Sequence, residues 1–318
     1  MIATLARAAR TRAAGAGLGV LIDRVGGEPP EAVHPVAWFG RAMTGLESLV
    51  YADRRSAGVG YATIGVSIAA AAGLAVGPTT AATAAATATA VAGRALAEVA
   101  TAVGDALRAG DLERARALVP SLVGRDPAML DTKDLARAVV ESVAENTVDA
   151  VVAPALWGAV AGAPGTLGCR GVNTLDAMVG YRSERYERFG WASARLDDVA
   201  AYVPARLTAG LVMAVRPRSW RAVARAVATQ APAHPSPNAG VAEAAFAAAL
   251  RLRLGGRSVY HGAEEFRPAL GDGAPPEPVD IARAVALSRD VSSALVGLLV
   301  VVALGQGFGW QPDRRRGR

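Results

Sequence analysis

The chain alternates between long apolar segments without formal charge and shorter segments that are densely charged. No charged residue occurs from Ser56 to Gly93, from Ala150 to Cys169 or from Val291 to Pro312. A helix needs roughly 20 residues to cross the hydrocarbon core of a bilayer. The first run therefore has room for two crossings with a turn at Gly77-Pro78 between them, and each of the others has room for one.

Two weaker apolar stretches raise the number of predicted membrane segments to between four and six. The stretch 13–22 resembles a signal peptide, but no small-residue cleavage site precedes Asp23, so it is read as a retained or re-entrant segment. The stretch from Leu207 to Val215 is too short to cross unless the residues before it take part. The predicted segments lie near 13–22, 57–77, 80–103, 150–169, 199–215 and 291–309.

This pattern predicts an all-α fold, in which residues 1–318 form a single polytopic membrane domain with helical cytoplasmic elaborations. Charged residues make up 19% of the chain, below the roughly 25% of typical soluble domains. Arginine clusters beside the apolar segments are typical of the cytoplasmic face of the plasma membrane, and the net charge of +6 suits an anionic lipid bilayer. Nucleic acid is excluded as a partner because no basic surface with interleaved aromatic residues occurs.

Residues that commonly carry catalysis or bind metal ions are scarce. Cys169 is the only cysteine, so no intrachain disulfide forms, and the three histidines lack the spacing of a zinc site. Lys133 is the only lysine and no G-x-x-x-x-G-K-[ST] motif occurs, which excludes a P-loop. A D-D-x-x-D motif is also absent. Phosphates would therefore be bound by arginines, backbone N–H groups and carboxylate-held Mg²⁺.

An acidic stripe leads into the second uncharged segment. Glu141, Glu145 and Asp149 recur every four residues, and Arg137 lies one turn earlier on the same row. A solvated helix face is the simplest interpretation of this stripe. However, no basic residue nearby neutralises Glu145 or Asp149, and carboxylates that approach a membrane are usually paired, metal-bound or functional.

The short motif at the end of this stripe is repeated on the far side of the same apolar segment. Residues 146–149 read NTVD and residues 173–176 read NTLD. Coincidence is one explanation for so short a pattern. If the apolar segment makes only a half-crossing, both of its ends return to one side of the membrane, and the two Asn/Asp pairs line a single polar site.

The stretch ARLDDVAAYVPAR, residues 194–206, places two acids and two arginines at the start of an apolar run. Four polar side chains stack on one helical face and are predicted to point to the site. These are Arg195, Asp198, Tyr202 and Arg206. Asp197 points away from that face and is predicted to be a helix cap, with a surface ion pair beside it as the simpler alternative for the whole stretch. Pro204 removes a backbone donor and should kink or break the helix.

Another polar segment, residues 234–256, begins with HPSPNAG and continues as an apolar helix. Asn238 occupies the N-cap position, and Gly255-Gly256 predict the end of the helix. Free N–H groups at the helix N-terminus would suit a phosphate. A well-capped structural helix explains the same residues without any ligand.

Several motifs occur in a fixed order from about Asp23 to Gly262. They are HPV with Gly40-Arg41, GRD at 124–126, ESVAENTVD at 141–149, NTLDAMVGY at 173–181, YERFGWASARLDD at 186–198, PAR at 204–206, and SPNAG with Glu243. Together they resemble the adenosylcobinamide-phosphate synthase family (CobD/CbiB) of cobalamin biosynthesis. The chain departs from the family pattern at Glu28, where an Asp is usual, at Ala201, where an Asn is usual, and at Ala242, where a Pro is usual.

The resemblance implies an integral membrane enzyme that joins adenosylcobyric acid to aminopropanol, or to its O-phosphate, through an amide bond. The reaction consumes ATP and requires Mg²⁺, and the active site is expected on the cytoplasmic side. The oligomeric state stays open, since a homo-oligomer and a complex with other pathway proteins are both compatible with the sequence.

On this hypothesis, three groups of residues carry the site. The metal ligands are Asp197, Asp198 and Asp176. The catalytic residues are Asp198, Asp149, Glu145 and Arg195, with His34 as the base that deprotonates the amine. The residues that bind ATP or position substrate are Arg206, Arg125, Asn146, Asn173, Asn238 and Tyr202.

Two other interpretations compete with this one. A non-catalytic membrane carrier of corrinoids, or a scaffold for the pathway, would keep its polar residues near the bilayer midplane. Here the acids and arginines gather mostly at the ends of the apolar segments. The other interpretation is a soluble Ala-rich helical enzyme, which would not sediment with membranes and would not need detergent to stay in solution.

Overall fold

The computed structural model describes residues 2–122, 130–181, 183–260 and 263–305. Helices dominate it. In chain order they are α1 (Ile2–Gly26), α2 (Pro35–Val50), α3 (Arg55–Val76), α4 (Thr80–Ala90), α5 (Gly93–Arg108), α6 (Leu112–Leu118), α7 (Thr132–Thr147), α8 (Ala153–Ala161), α9 (Ala163–Val179), α10 (Trp191–Val215), α11 (Trp220–Thr229), α12 (Ala239–Leu250) and α13 (Pro278–Leu304). A π-helical turn, Val148–Val152, joins α7 to α8.

Small side chains build the main hydrophobic core. Its members are mostly Ala and Val from the inward faces of α1, α5, α7, α10, α12 and α13. Small residues let helix backbones approach closely, which is how membrane helices pack where lipid removes most of the hydrophobic driving force. A second, smaller cluster joins α2, α3 and α9 and consists of Met43, Tyr61, Leu175, Val179 and Phe189.

Three helices of the described chain are long and apolar enough to cross a membrane, namely α3, α10 and α13. They coincide with the predicted segments near 57–77 and 199–215 and with the described part of the segment near 291–309. The stretch 13–22 lies within α1, which is not among the three. The chain therefore has the all-α architecture of a membrane protein.

The remaining two predicted segments are each divided into shorter helices. The segment 80–103 breaks at Val91-Ala92, between α4 and α5, and the segment 150–169 breaks at Gly162. Gly162 has a φ of 72°, in the left-handed region that glycine tolerates. The chain reverses there, so that α9 packs beside α8. Thr166 of α9 donates its hydroxyl to the carbonyl of Pro154 in α8 at 3.1 Å. The segment 150–169 is thus a helical hairpin rather than a single helix.

A small β-hairpin, which the sequence pattern did not predict, lies between α12 and α13. Its strands β1 (Leu254–Tyr260) and β2 (Ala263–Leu270) pair antiparallel. The predicted end of the helix at Gly255-Gly256 is wrong, because α12 ends at Leu250 and Arg251 caps it with a left-handed φ of 59°. The two glycines instead open β1, with φ values of 81° and 96°.

Pro204 was predicted to kink or break its helix; α10 continues through it, so a break is wrong. A proline at this position has no N–H to donate to the carbonyl of Ala200. The indole Nε1 of Trp157 in α8 donates to that carbonyl instead, at 2.9 Å. The bond that proline removes from the helix therefore reappears as a link between two helices.

A second proline acts in the same way at the π-helical turn. Pro154 cannot donate to the carbonyl of Ala150, and the backbone N–H of Ala92 donates to it at 3.0 Å. Ala92 immediately precedes α5. The turn is therefore tied to the start of α5 by a main-chain bond.

We expect Trp157→Phe to lower the free energy of unfolding by about 1–3 kcal/mol, because the Ala200 carbonyl loses its donor in a partly buried place. The matched control is Trp38→Phe, since Trp38 also donates to a carbonyl, that of Ala32, at 2.9 Å, but is 52% exposed. Water can replace that bond, so the control should change stability little. Thermal unfolding in detergent measures both variants, and equal effects would contradict the role given to Trp157.

Candidate active site

An acid-lined cavity of about 140 Å³ opens where α7, α9, α10 and α12 meet. The polar side chains of its wall come from four separate parts of the chain. They are Glu145, Asp149, Asp176, Asp197, Ser236 and Asn238, with Val148, Ala239 and Ala242 completing the wall. We call this cavity the acid pocket.

The reversal at Gly162 brings the two Asn/Asp motifs of the sequence to this pocket. Asp149 lies in the π-helical turn after α7, and Asp176 lies near the end of α9. Because α8 and α9 form a hairpin, the two carboxylates reach the same cavity. This is the arrangement expected if the apolar segment between the motifs returns to the side from which it started.

The structure corrects the predicted orientation of the adjacent acids in α10. Asp197 lines the acid pocket, whereas the side chain of Asp198 pairs with Arg195 at 3.3 Å and is not part of the pocket wall. Asp197 is not a cap, since α10 begins at Trp191. It shares a row, at spacings of four, with the buried Ser193, Ala201, Ala205 and Ala209, which face the neighbouring helices.

Burial and crowding of like charges dominate the electrostatics of the pocket. Burial is the largest cause that raises the pKa of Asp149 well above its ordinary value, and the charges of Asp197, Glu145 and Asp176 raise it further. Burial also raises the pKa of Asp176 to about 7, with the charges of Asp197 and Asp198 as the next causes. The pocket would therefore bind a cation or a proton favourably.

Glu145 connects the acid pocket to a second, more deeply buried group of charges. Arg267 of β2 lies with Nη1 3.8 Å from Glu145 and 3.8 Å from Glu243, so it bridges the two carboxylates. His234 Nε2 lies 3.6 Å from Glu243. Glu243 is fully buried, and burial together with neighbouring carboxylates raises its pKa well above the ordinary value. Burial lowers the pKa of His234, which favours the neutral form of this histidine.

The first acid of the predicted stripe holds the hairpin and does not line the pocket. Glu141 is 2% exposed and accepts the N–H of Gly255 at 2.8 Å. Arg137 donates to the carbonyl of the same glycine at 2.8 Å. The stripe is therefore divided, since Glu141 fastens β1 to α7 while Glu145 and Asp149 face the pocket.

Asn238 ties the start of α12 to α10 at the edge of the pocket. Its amide donates to the carbonyl of Asp198 at 2.8 Å, and its oxygen accepts from Arg206 at 2.8 Å. Arg206 also donates to the carbonyl of Pro237 at 3.1 Å, and its guanidinium stacks on Tyr202 with 3.6 Å to the ring centre. These three predicted residues lie together, and their bonds position the SPNAG loop.

The other predicted residues are distributed around the pocket rather than gathered in it. Asn173 hydrogen-bonds to the carboxylate of Asp197. Asn146 donates its amide to Ser142 in its own helix, at 2.9 Å to the carbonyl oxygen. His34 caps α2 by accepting the N–H of Val36 at 3.2 Å, and it does not line the acid pocket. Arg125 lies outside the described residues.

Two half-buried arginines near these acids were not predicted. Arg170 interacts electrostatically with Asp149 and with Glu28, and burial lowers its pKa. The spacing of Arg170, Asn173 and Asp176 by three residues places them on one face of α9, which was a signal available in the sequence. Arg267 had no comparable signal, because its strand was not predicted.

The donor chemistry of the acid pocket fits Mg²⁺, although its carboxylates do not close around an ion by themselves. Carboxylate oxygens are ligands that Mg²⁺ prefers, and a cation would relieve the repulsion between carboxylates that raises these pKa values. Within the described residues, no three His, Cys, Asp or Glu side chains are arranged to hold a metal. Mg²⁺ commonly binds through one or two carboxylates, water and substrate phosphates, so it fits here in that form.

Comparison with known proteins places the chain among relatives of one kind. A family profile described as CobD/Cbib protein matches residues 16–288. "Cobalamin biosynthesis protein CobD" of Mycobacterium tuberculosis (strain CDC 1551 / Oshkosh) is 50% identical, covering 92% of this chain and 96% of the relative. Proteins of the same name from Rhodobacter capsulatus and Stutzerimonas stutzeri are each 42% identical. They cover 85% and 91% of this chain, and the chain covers 88% and 96% of them. No solved structure matches the chain.

The raised pKa of Asp176 predicts a loss of stability as the pH rises. Below pH 4 the side chain is protonated in both the folded and unfolded states, so it has no effect. Between the pKa of Asp176 in the unfolded chain and about 7, this side chain is ionised in the unfolded state and still protonated in the folded state. The difference lowers the free energy of unfolding by at most about 4 kcal/mol. We expect Asp176→Asn to reduce the fall in unfolding temperature between pH 5 and pH 7.5, measured in detergent without divalent cations.

Asp53→Asn serves as the control, because Asp53 is half-exposed and its partner Arg188 is on the surface. This variant should keep the pH dependence of the original protein. An unchanged pH dependence in Asp176→Asn would show that Asp176 is better solvated than the pocket geometry indicates.

Proposed function

Because the chain belongs to the CobD/Cbib family and takes part in cobalamin biosynthesis, we propose that it catalyses ATP-dependent amide formation between adenosylcobyric acid and aminopropanol or its O-phosphate. The protein would thus be an acid–amine ligase, adenosylcobinamide-phosphate synthase. The observation that carries this proposal is the acid pocket, in which three aspartates from three separate elements share one weakly solvated cavity.

Amide formation from a free carboxylate needs activation of that carboxylate. In the proposed reaction, a carboxylate oxygen of adenosylcobyric acid attacks the γ-phosphorus of ATP, and ADP leaves. The amine nitrogen then attacks the acyl carbon of the acyl phosphate, the C–O bond to phosphate breaks, and the amine loses a proton. Phosphoryl transfer of this kind depends mainly on positioning and charge neutralisation, so it does not require a P-loop.

Asp149 and Asp197 are the residues that would hold Mg²⁺ together with the phosphates of ATP, which leaves Asp176 free to act as a base. When bound, Mg²⁺ supplies positive charge to the phosphate oxygens as negative charge moves toward the leaving group. The start of α12 borders the pocket at Ala239, but its first N–H groups are already engaged, because Ala239 donates to the hydroxyl of Ser236 at 3.1 Å and Gly240 to the carbonyl of Ser236 at 3.3 Å. The phosphate seat expected from the sequence at this helix end is therefore not available. Arg170 adds a half-buried positive charge near Asp149.

Asp176 is the best candidate for the base that receives the proton of the amine. A general base works best when its pKa lies near the operating pH, and the pKa of Asp176 is raised to about 7. His34, the base proposed from the sequence, instead caps α2 through Nδ1. Asp198 and Arg195 form an ion pair beside the pocket wall, which suits a supporting role.

We place the reaction at the cytoplasmic side of the plasma membrane, where ATP is present. Asp197 lies in the first third of α10, one of the three helices able to cross a membrane. The aspartates of the pocket are therefore near a helix end rather than at the bilayer midplane, which favours a ligase over a corrinoid carrier or scaffold.

The adjacent acids of α10 allow a sharp test. Asp197→Asn should reduce turnover by about 100-fold or more, because Asp197 lines the acid pocket, whereas Asp198→Asn should keep turnover within about tenfold of the original. The detergent-purified protein is incubated with adenosylcobyric acid, aminopropanol phosphate, ATP and Mg²⁺. Mass spectrometry measures the amide product, and a coupled assay measures ADP.

Equal losses in both variants would contradict the assignment of Asp197 to the pocket chemistry. Corrinoid binding without amide or ADP in the original protein would favour the carrier. Size-exclusion chromatography of each variant in detergent confirms that the comparison concerns folded protein.

A further inference from the structure

A second cavity lies behind the π-helical turn, on the opposite side from the acid pocket. It has a volume of about 260 Å³ and opens between the end of α1, the start of α5 and the middle of α13. Val151 of the π-helical turn lines it, while Val148 and Asp149 of the same turn line the acid pocket. One turn of backbone therefore separates the two cavities.

Asp23 supplies a buried negative charge to this cavity. The side chain is 2% exposed, and its Oδ2 accepts the backbone N–H of Arg94 at 3.1 Å at the start of α5. Gly93 permits the close approach, since a Cβ there would lie 3.2 Å from Oδ2. The other oxygen, Oδ1, is buried without a hydrogen-bond partner. Burial is the largest cause that raises the pKa of Asp23 to about 6, so at pH 7 a carboxylate with one unused oxygen lies in the wall of the cavity.

The same cavity carries positive charge at its outer edge. Arg24 and Arg289 line it, and both are exposed at the surface. Arg24 donates to the hydroxyl of Ser293 at 2.8 Å, and among the described residues neither arginine forms an ion pair. The guanidinium of Arg94 forms an ion pair with Glu98 at 2.7 Å, so it adds less positive charge to the cavity.

These charges describe a particular ligand. A buried carboxylate with an unused oxygen accepts an ammonium group, and arginines without acidic partners bind phosphate. Hydroxyl groups of Ser288 and Ser292 lie on the wall between them. A cavity of about 260 Å³ has room for roughly nine water molecules at ~30 Å³ each, which suits a ligand with as many non-hydrogen atoms as aminopropanol phosphate.

We propose that this cavity binds an amino-alcohol phosphate, with its ammonium group on Asp23 and its phosphate between Arg24 and Arg289. As far as the free ligand is concerned, the proposal rests on the proposed function, since it gives the amine substrate a binding site beside the acid pocket. The amine must leave this site before it reacts in the acid pocket. A lipid headgroup of the ethanolamine phosphate type has the same chemistry. It could reach the cavity, because the residues of α13 that line the cavity lie where the charged half of this helix meets its uncharged half.

Binding of the two halves of the ligand can be separated by variants. Asp23→Asn removes the negative charge but keeps an oxygen for the N–H of Arg94. It should weaken binding of aminopropanol phosphate about tenfold or more and leave binding of inorganic phosphate unchanged. Arg289→Gln should weaken binding of both probes by a similar factor. Arg7→Gln, an exposed arginine elsewhere on α1, is the control and should change neither.

Isothermal titration calorimetry of the full chain measures these affinities without ATP or corrinoid, in nanodiscs of phosphatidylglycerol and in nanodiscs with added phosphatidylethanolamine. Equal affinity in both lipids supports the free compound as the ligand, and competition by phosphatidylethanolamine supports the headgroup. Unchanged affinity in folded Asp23→Asn or Arg289→Gln, or no binding in either lipid, overturns the proposal.

Turnover keeps this proposal distinct from the proposed function. Amide formation with an unchanged KM for aminopropanol phosphate in Asp23→Asn would overturn the binding site while the ligase activity stands. Binding that depends on Asp23 in a protein without turnover would support the binding site while the ligase activity fails.

Discussion

Mutual repulsion among carboxylates in a weakly solvated interior is the constraint on which the rest of the structure depends. Asp149, Asp176 and Asp197 come from three separate helical segments, and they share a cavity in which each disfavours the charge of the others. Leaving such groups together costs free energy unless a cation or a proton neutralises them. Helices that bring them together must therefore be fastened firmly by other interactions.

Prolines provide part of that fastening. In a membrane protein, a carbonyl group freed by proline needs a partner, because lipid offers none. Here Pro154 and Pro204 each free a carbonyl, and the donors come from Ala92 and Trp157 in neighbouring segments. What would weaken an isolated helix thus becomes a bond between elements, and it holds the π-helical turn and α10 where their acids meet.

The π-helical turn then separates two chemically different cavities. On one side Asp149 joins the crowded acids, whose charge suits a metal ion with phosphates. On the other side Val151 closes a cavity that is lined by the carboxylate of Asp23 and by Arg24 and Arg289. A π-helical turn inserts one residue into a helix and shifts the register of the side chains that follow. In this protein the turn directs neighbouring side chains into different cavities.

The sequence by itself determined the class of the protein and the identity of most acids in the pocket. Uncharged segments of membrane length and the repeated Asn/Asp motifs follow from local composition, so both could be read from it. The orientation of Asp197, the hairpin with Arg267 and the capping role of His34 could not be read in the same way. Each depends on contacts between residues distant in the chain: Asp197 faces inward because α10 packs its row of small residues against other helices. Only tertiary packing decides which face of a helix is buried when charged residues lie on both faces.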